Sequence, residues 1–561
     1  MRSIEWRADS ARAARQRQNP VILGALASHC PKNAYSLAKW AGQTRDNRGL
    51  IPVGAGPFLR YRGGRFGPAI WQTQRLLHPE RINAMQLHYI ANASVPSLSG
   101  KTISVIDPSD GQPFDEIQRG NAEDVDHAVQ AARLCYDNVW RKTSPAERSR
   151  LMMRLSAKVL EHADELAAIE QRDCGKPTKQ AKADALALGR YFEFYAGAAD
   201  KLHGETIPYP SDFSVLTWRE PHGVTGHIVP WNYPMQIFGR CVGAALAAGN
   251  VCVVKPSEDA CLSLIRVAQL AADVGFPAGA INIVTGFGHE VGDALARHPD
   301  VDHISFTGSP RIGTLIEQAA AERHCPCTLE LGGKSPQIVF ADADLDAAIP
   351  TIINAIIQNS GQTCSAGSRL LVERSIYETL LARLGSAFEA LRVGPASLDL
   401  DLGPLIRQTQ QQRVWDFLSD AHNDGISVVA QGQIIDEAPE GGYYQAPTLL
   451  RDVPVDHRLA QEEIFGPVLS AMAFDSEEEA IKMANATQFG LVAGVWTRDG
   501  GRQFRVAKRL RSGQVFINNY GAGGGVELPF GGTKASGHGR EKGFEALYGF
   551  TTLKTVAIRH G

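Results

Sequence analysis

The stretch VTGHIV-PWNYP-MQIFGRCVGAALAAGN-VCVVKPSED, residues 224–259, decides the fold. Residues 224–229 read as a strand, 235–248 as an apolar helix and 251–254 as a buried strand. Strand, helix and strand in succession, joined by short turns, are the unit of a parallel sheet. The prolines 230 and 234 fix the first turn, so Trp231, Asn232 and Tyr233 are held where the strand hands over to the helix.

Working outward, 260–274 is an amphipathic helix, and 281–284 and 303–306 are two more strands with a helix between them. Ligands of such doubly wound sheets lie beyond the carboxyl ends of the strands, where Lys255 and Gly308 stand. Upstream, a helical stretch begins near Asn121, and 151–188 repeats apolar residues every three to four positions. Downstream, a second alternating set has strands at 337–340, 468–474, 491–496 and 515–518 and helices at 345–359 and 376–391. Two doubly wound α/β domains are therefore predicted. The strand-like alternation at 552–558 comes after the second domain has closed, and 214–219 reads as a strand beside the first; both are candidates for one exposed sheet that pairs with another subunit.

Lys plus Arg number 57 against 60 Asp plus Glu, a net charge of −3, so no overall basic field exists for nucleic acid or an anionic membrane. Small molecules and copies of the chain itself are the expected partners. No apolar run approaches the ~18 residues of a membrane span. The 9 cysteines are odd in number and lack paired CxxC spacing, which suits a reducing cytoplasm rather than a disulfide scaffold. Residues 1–84 carry an excess of arginine with no sustained period. Residues 21–27 imitate a short signal-peptide core, at the bottom of the length range for one. The expectation is an unstructured extension outside the native protein, with translation starting at Met85.

Several motifs imitate chemistry. Gly332-Gly333-Lys334-Ser335 resembles the end of a phosphate-binding loop, but Thr328 stands where that loop needs its first glycine. Gly286-Phe287-Gly288 with Gly292 misses the dinucleotide spacing by one residue, and 521–525 is a flexible turn. His324-Cys325-Pro326-Cys327 has no second ligand pair at a recognisable spacing, so no metal site is expected.

Three residues make a better set. Cys364, in Asn359-Ser360-Gly361-Gln362-Thr363-Cys364-Ser365, lies in a small, polar stretch just after a helix, where a substrate can approach a thiol nucleophile. Glu330 is isolated among Leu329, Leu331, Gly332 and Gly333, where desolvation would raise its pKa toward that of a useful general base. Asn232, fixed at its turn, is suited to hydrogen-bond an oxyanion.

With these residues in order, residues 85–561 resemble the NAD(P)-dependent aldehyde dehydrogenase superfamily, of the hydrolytic type. The resemblance rests on seven ordered segments: Pro230 to Pro234, Val254-Lys255-Pro256-Ser257-Glu258, Phe306-Thr307-Gly308-Ser309 with Gly313, Glu330 to Gly333, Gly361-Gln362-Thr363-Cys364, Glu462-Glu463-Ile464-Phe465-Gly466-Pro467, and Pro529-Phe530-Gly531-Gly532. It implies an NAD-binding domain from 85–202 and 222–335, a catalytic domain at 336–535, and oligomerisation strands at 203–221 and 545–561 of a homodimer or homotetramer. It also implies that Cys364 attacks an aldehyde, that Asn232 and the Cys364 backbone N–H hold the oxyanion, and that Glu330 activates the water that hydrolyses the thioester. Lys255 and Glu258 would meet the adenosine ribose, Gly308 and Ser309 the pyrophosphate, and Glu463 with Phe465 the nicotinamide ribose. Trp231, Ser257, Gly313 and Leu331 join the implied cofactor contacts, and Glu258 disfavours NADP relative to NAD.

Two departures stand out. Many family members have a relay lysine where this chain has Cys241. Arg240 beside it stands where members that oxidise carboxylate-bearing semialdehydes grip the carboxylate, yet Gln358 replaces their usual second arginine. Arg240, Tyr233 and Ser365 are accordingly the candidate substrate contacts. A CoA-acylating enzyme is the alternative reaction, and Glu330 argues against it. A catalytically silent relative is the alternative class, and the presence of both Cys364 and Glu330 argues against that.

Overall fold

The computed structural model describes residues 85–521 and 525–561. The expectations for residues 1–84, and for the middle of the turn 521–525, lie outside them. The first sheet runs, in spatial order, Ala93–Val95, His88–Ile90, Ile281–Ile283, Val251–Pro256, Val224–Val229, His303–Thr307, Cys327–Glu330 and Gly537–His538. Its five central strands are parallel. The register aligns Ile228 with Lys255, Phe306 with Ile228 and Thr307 with Glu330. Lys255, the turn at Asn232, Gly308 and Glu330 therefore all emerge at one edge, because every parallel strand ends on the same side.

The helix Pro234–Ala248 is buried along nearly its whole length. An apolar surface on all sides requires cover on all sides. The sheet supplies one face, and the helices Pro145–Glu161, Thr178–Ala198, Leu262–Asp273 and Glu545–Gly549 pack on the others. Gly239 and Gly243 permit the close approach: a Cβ on either would come within about 3.0 Å of Tyr191 or Tyr195.

The second sheet runs Val428–Gln431, Thr448–Leu450, Val468–Phe474, Arg369–Glu373, Pro336–Val339, Val492–Trp496 and Gln514–Ile517, parallel except at the first strand. The third pairs Thr551–Arg559 antiparallel with Phe213–Pro221, in continuous register from Thr551↔Pro221 to Arg559↔Phe213, and adds Thr206–Ile207. It leaves Trp218, Leu553 and Ile558 exposed.

The architecture is α/β: two wound sheets, a small antiparallel one and two two-stranded pairs. The two doubly wound sheets are as expected, and the first adds short antiparallel strands at its edges, His88–Ile90 with Ala93–Val95 and Gly537–His538. These strands have two or three residues, too few to show a period. The central strand Arg369–Glu373 also escaped the sequence reading, since its three apolar residues are bracketed by charges. Arg369 is buried there by donating to the backbone oxygens of Lys334 (2.8 Å), Met483 (2.9 Å) and Ala484 (2.8 Å). The stretch 151–188 lies across three helices, interrupted at His162 and at Gly175, whose φ is 72°. No helix among the described residues is long and apolar enough to cross a membrane.

Candidate active site

A cavity of about 630 Å³ opens where the two large sheets present their strand ends, and Cys364, Glu330 and Asn232 all line it. The loop that delivers Cys364 departs from the helix Leu345–Ile357 through three consecutive residues in the left-handed region, Asn359 (φ 48°), Ser360 (φ 54°) and Gly361 (φ 76°). That strained elbow is held from outside. Gln180 Oε1 accepts from the Asn359 N–H (2.9 Å), Ser360 Oγ donates to Gly403 O (2.7 Å), and Gln362 Oε1 accepts from the Ile406 N–H (2.9 Å).

Asn232 is nearly buried, and its Nδ2 donates to Gln362 O (3.0 Å), while Asn359 Nδ2 donates to Asn232 O (2.8 Å). The turn and the elbow are thus locked to each other, and the Asn232 amide keeps a second N–H. Burial pushes the Cys364 thiol up to about 12; the charge of Arg240 opposes this, and the carboxylates of Glu463 and Glu330 add to it. Glu330 ends the strand Cys327–Glu330 and is 2% exposed. Burial, reinforced by Glu541, holds its carboxyl well above the usual range against the opposing Arg240, Arg540 and Lys542. Neither of its oxygens meets a hydrogen-bond partner among the described residues. Gly531 lets the chain pass beside it: a Cβ there would lie 2.6 Å from Glu330 Oε1.

Beside Glu330, whose backbone oxygen accepts from the Gly308 N–H (3.0 Å), Gly308 and Ser309 lead into the helix Pro310–Ala321, with Ser309 as its N-cap. A helix start of this kind offers free N–H groups to an anion. Glu463 and Phe465 also line the cavity. Glu463 Oε1 accepts from the Gly333 N–H (2.9 Å), and Gly332 has no room for a side chain, since a Cβ would lie 2.3 Å from Glu463 Oε2. Burial lifts Glu463 to about 7. Phe465, at φ 62°, meets Trp231 edge to face at 5.4 Å. The loop is tied down by residues no motif announced: Gln410 Nε2 donates to Phe465 O (2.7 Å), and Arg413 donates to Glu463 O (2.6 Å). They lie three apart on the helix Gln408–Asn423 and so share a face, a spacing that carries no chemical signature by itself.

Other predicted site residues stand behind the cavity lining. Lys255 Nζ pairs with Glu258 (3.0 Å) at a strand end, and Ser257 lies between them in sequence. Gly313 faces Leu331, whose Cδ2 would be 2.6 Å from a Cβ. Tyr233 OH and Thr363 Oγ1 are 2.9 Å apart, and the Tyr233 ring carries the Lys176 ammonium at 4.2 Å. Ser365 is buried, and its carbonyl accepts from Tyr520 OH (2.6 Å). Arg240 is buried against Glu541, with which it forms an ion pair, and its guanidinium lies 4.9 Å from the Phe530 ring centre. Cys241 is buried beside it.

The cavity lining fits a dinucleotide: a helix N-terminus suited to an anion, an acidic group near a glycine with no side-chain space, and a thiol. The aldehyde dehydrogenase family model matches residues 95–556. An aldehyde dehydrogenase of Emericella nidulans is 42% identical over 475 residues, covering 84% of this chain and 95% of that one. A solved structure from Burkholderia cenocepacia matches with a TM-score of 0.84 at 70% identity over 85% of this chain and 100% of its own. The NAD+ complex of aldehyde dehydrogenase from Bacillus cereus matches with a TM-score of 0.83 at 40% identity, covering 85% and 97%. Sequence, sheet topology and the cavity agree: the chain belongs to the aldehyde dehydrogenase family, oxidoreductases that act on the aldehyde group.

Proposed function

We propose that this chain oxidises an aldehyde to the carboxylic acid with NAD, and that Cys364, Glu330 and Asn232 carry the reaction. The observation that carries the reading is their convergence on one cavity that the Gly308–Ser309 helix start also lines. The Cys364 sulfur adds to the aldehyde carbon as thiolate. The free N–H of the Asn232 amide and the Cys364 backbone N–H stabilise the oxyanion that forms. NAD, when bound, supplies the acceptor for the hydride that leaves this carbon. Glu330 then takes a proton from water, which attacks the thioester and releases acid and thiol. A carboxyl whose pKa burial raises, and which meets no hydrogen-bond partner among the described residues, is suited to take that proton.

The test separates the two half-reactions. Cys364→Ala should abolish oxidation while NAD binding persists. Glu330→Gln should leave a stoichiometric burst of NADH and depress steady turnover by about 10² or more. Equal loss of burst and turnover would place Glu330 in thiol activation instead.

Preference for NAD over NADP is supported by Glu258. Burial works against its charge, but Lys255, its own backbone N–H and Arg407 together hold the carboxyl below its usual range, an anion that repels a 2′-phosphate. Lys255 attracts the same phosphate and limits the discrimination. Self-association through the third sheet is supported by its exposed Trp218, Leu553 and Ile558. A cytoplasmic location is supported by the eight free cysteines among the described residues. We further assign Arg240 to Glu541 rather than to a substrate carboxylate, so acidic and neutral aldehydes should not be distinguished at that position.

A further inference from the structure

We infer that Cys327, His538 and Glu317 form a site for a borderline-soft divalent cation of the Zn2+ class, at the outer edge of the first sheet. In the sequence Cys327 had no second ligand pair at a metal-site spacing; the fold supplies one. One donor atom from each of the three residues lies within 4.8 Å of the other two, and His538 Nε2 is 2.8 Å from Glu317 Oε1.

The arrangement follows from the backbone. Cys327 opens the strand Cys327–Glu330, which pairs antiparallel with Gly537–His538 in the register Leu329↔His538 and Glu330↔Gly537. Side chains alternate along a strand, so Cys327 shares the face of Leu329 and is the diagonal neighbour of His538, a separation that long side chains bridge. The helix Pro310–Ala321 brings Glu317 to the same point. Two paired strands and a helix thus preposition the three donors. Bonds of about 2.0–2.3 Å from Zn2+ to sulfur, nitrogen and oxygen set tetrahedral ligands roughly 3.3–3.8 Å apart, which this cluster reaches by a sub-ångström opening of the His538–Glu317 contact and a closing of its separations of up to 4.8 Å.

Thiolate, imidazole and carboxylate form a mixed donor set suited to Zn2+ and poorly suited to Mg2+ or Ca2+. Glu317 and His538 are exposed and Cys327 is half-buried, which gives an ion an entry path and leaves solvent for a fourth ligand. Cys325 takes no part: its Sγ lies 3.6 Å from Val301 O. Binding would release the Cys327 thiol proton and any proton shared by His538 and Glu317 to solvent. The ion would tie the strand that ends at Glu330 to the segment that leads to Glu541.

The experiment uses the full chain carrying Cys364→Ala, so that the catalytic thiol does not compete, and Co2+ as a spectroscopic probe followed by Zn2+ competition. We expect one equivalent of Co2+ with a thiolate-to-metal band in the near ultraviolet, displaced by Zn2+. Adding Cys327→Ser should remove the band, and His538→Ala or Glu317→Gln should weaken binding by more than about tenfold. A band and stoichiometry unchanged by all three substitutions would overturn the site, as would no binding of either ion below about 100 μM. Should Cys327→Ser fail to fold, the exposed Glu317→Gln and His538→Ala decide the matter, with circular dichroism to verify the fold.

Discussion

Arg240 shows how much a single side chain depends on what the fold sets opposite it. In sequence it stands eight residues after Asn232 with no visible counter-charge; in space Glu541, 301 positions later, meets it at a site where both are under 10% exposed. Truncating one member of such a pair leaves the other buried and uncompensated. Arg240→Ala should therefore cost about 3–5 kcal/mol of stability in urea denaturation and shift KM for acidic and neutral aldehydes alike. A rise in KM confined to acidic aldehydes, with stability intact, would restore the substrate-gripping role. Cys364 offers a second residue-scale prediction. With the thiol pushed up to about 12, its thiolate is a small fraction at neutral pH and grows tenfold per pH unit as long as pH stays below that value. Alkylation of Cys364 by iodoacetamide in the cofactor-free enzyme should accelerate roughly tenfold per unit between pH 7 and 10, with the Cys364→Ala protein as blank. A plateau by pH 8 would mean that the site depresses the thiol pKa before NAD arrives.

Among the elements, the elbow after the helix Leu345–Ile357 matters most, because it sets the position of the thiol. A helix ending at 359 was expected from apolar spacing, and the backbone leaves it two residues earlier, at Ile357. What ends it is not local. The left-handed turn is stabilised by Gln180 and Gly403, and Gly466 passes so close to Gly361 that a Cβ there would lie 2.2 Å from its carbonyl carbon. Gly361→Ala should thus combine an unfavourable φ with a backbone clash, costing roughly 2 kcal/mol or more and lowering kcat by more than tenfold. A stable, fully active variant would show that Gly466 can yield without moving Cys364. The Glu463–Phe465 loop follows the same logic. Its sequence was recognisable as a segment of the resemblance, whereas Gln410 and Arg413, which hold its carbonyls, were not.

For the whole molecule, the third sheet is the testable feature. Its two long strands, 213–221 and 551–559, run in register over nine pairs and leave Leu553 about half exposed in the single chain. If this face joins subunits, Leu553→Glu should shift the species seen by light scattering to a smaller mass, with little change in the unfolding of the individual chain. An unchanged mass would move the subunit contact elsewhere.

Alternation of strands and helices was legible in the sequence because periodicity and β-branched runs are local properties. The same holds for the order of the chemical segments, and for Cys364, Glu330 and Asn232, each marked by the glycines, prolines and small residues around it. Strand ends of a parallel sheet share one edge, so the sequence alone also determined that Lys255 and Gly308 would emerge on the same side. The antiparallel edge strand Gly537–His538, the early end of the elbow helix, the Arg240–Glu541 pair and the Cys327–His538–Glu317 cluster were decided only by tertiary structure. Each depends on groups more than two hundred positions apart or on contacts from three separate segments, and no local spacing in a chain encodes which distant side chain the fold will set beside a given one.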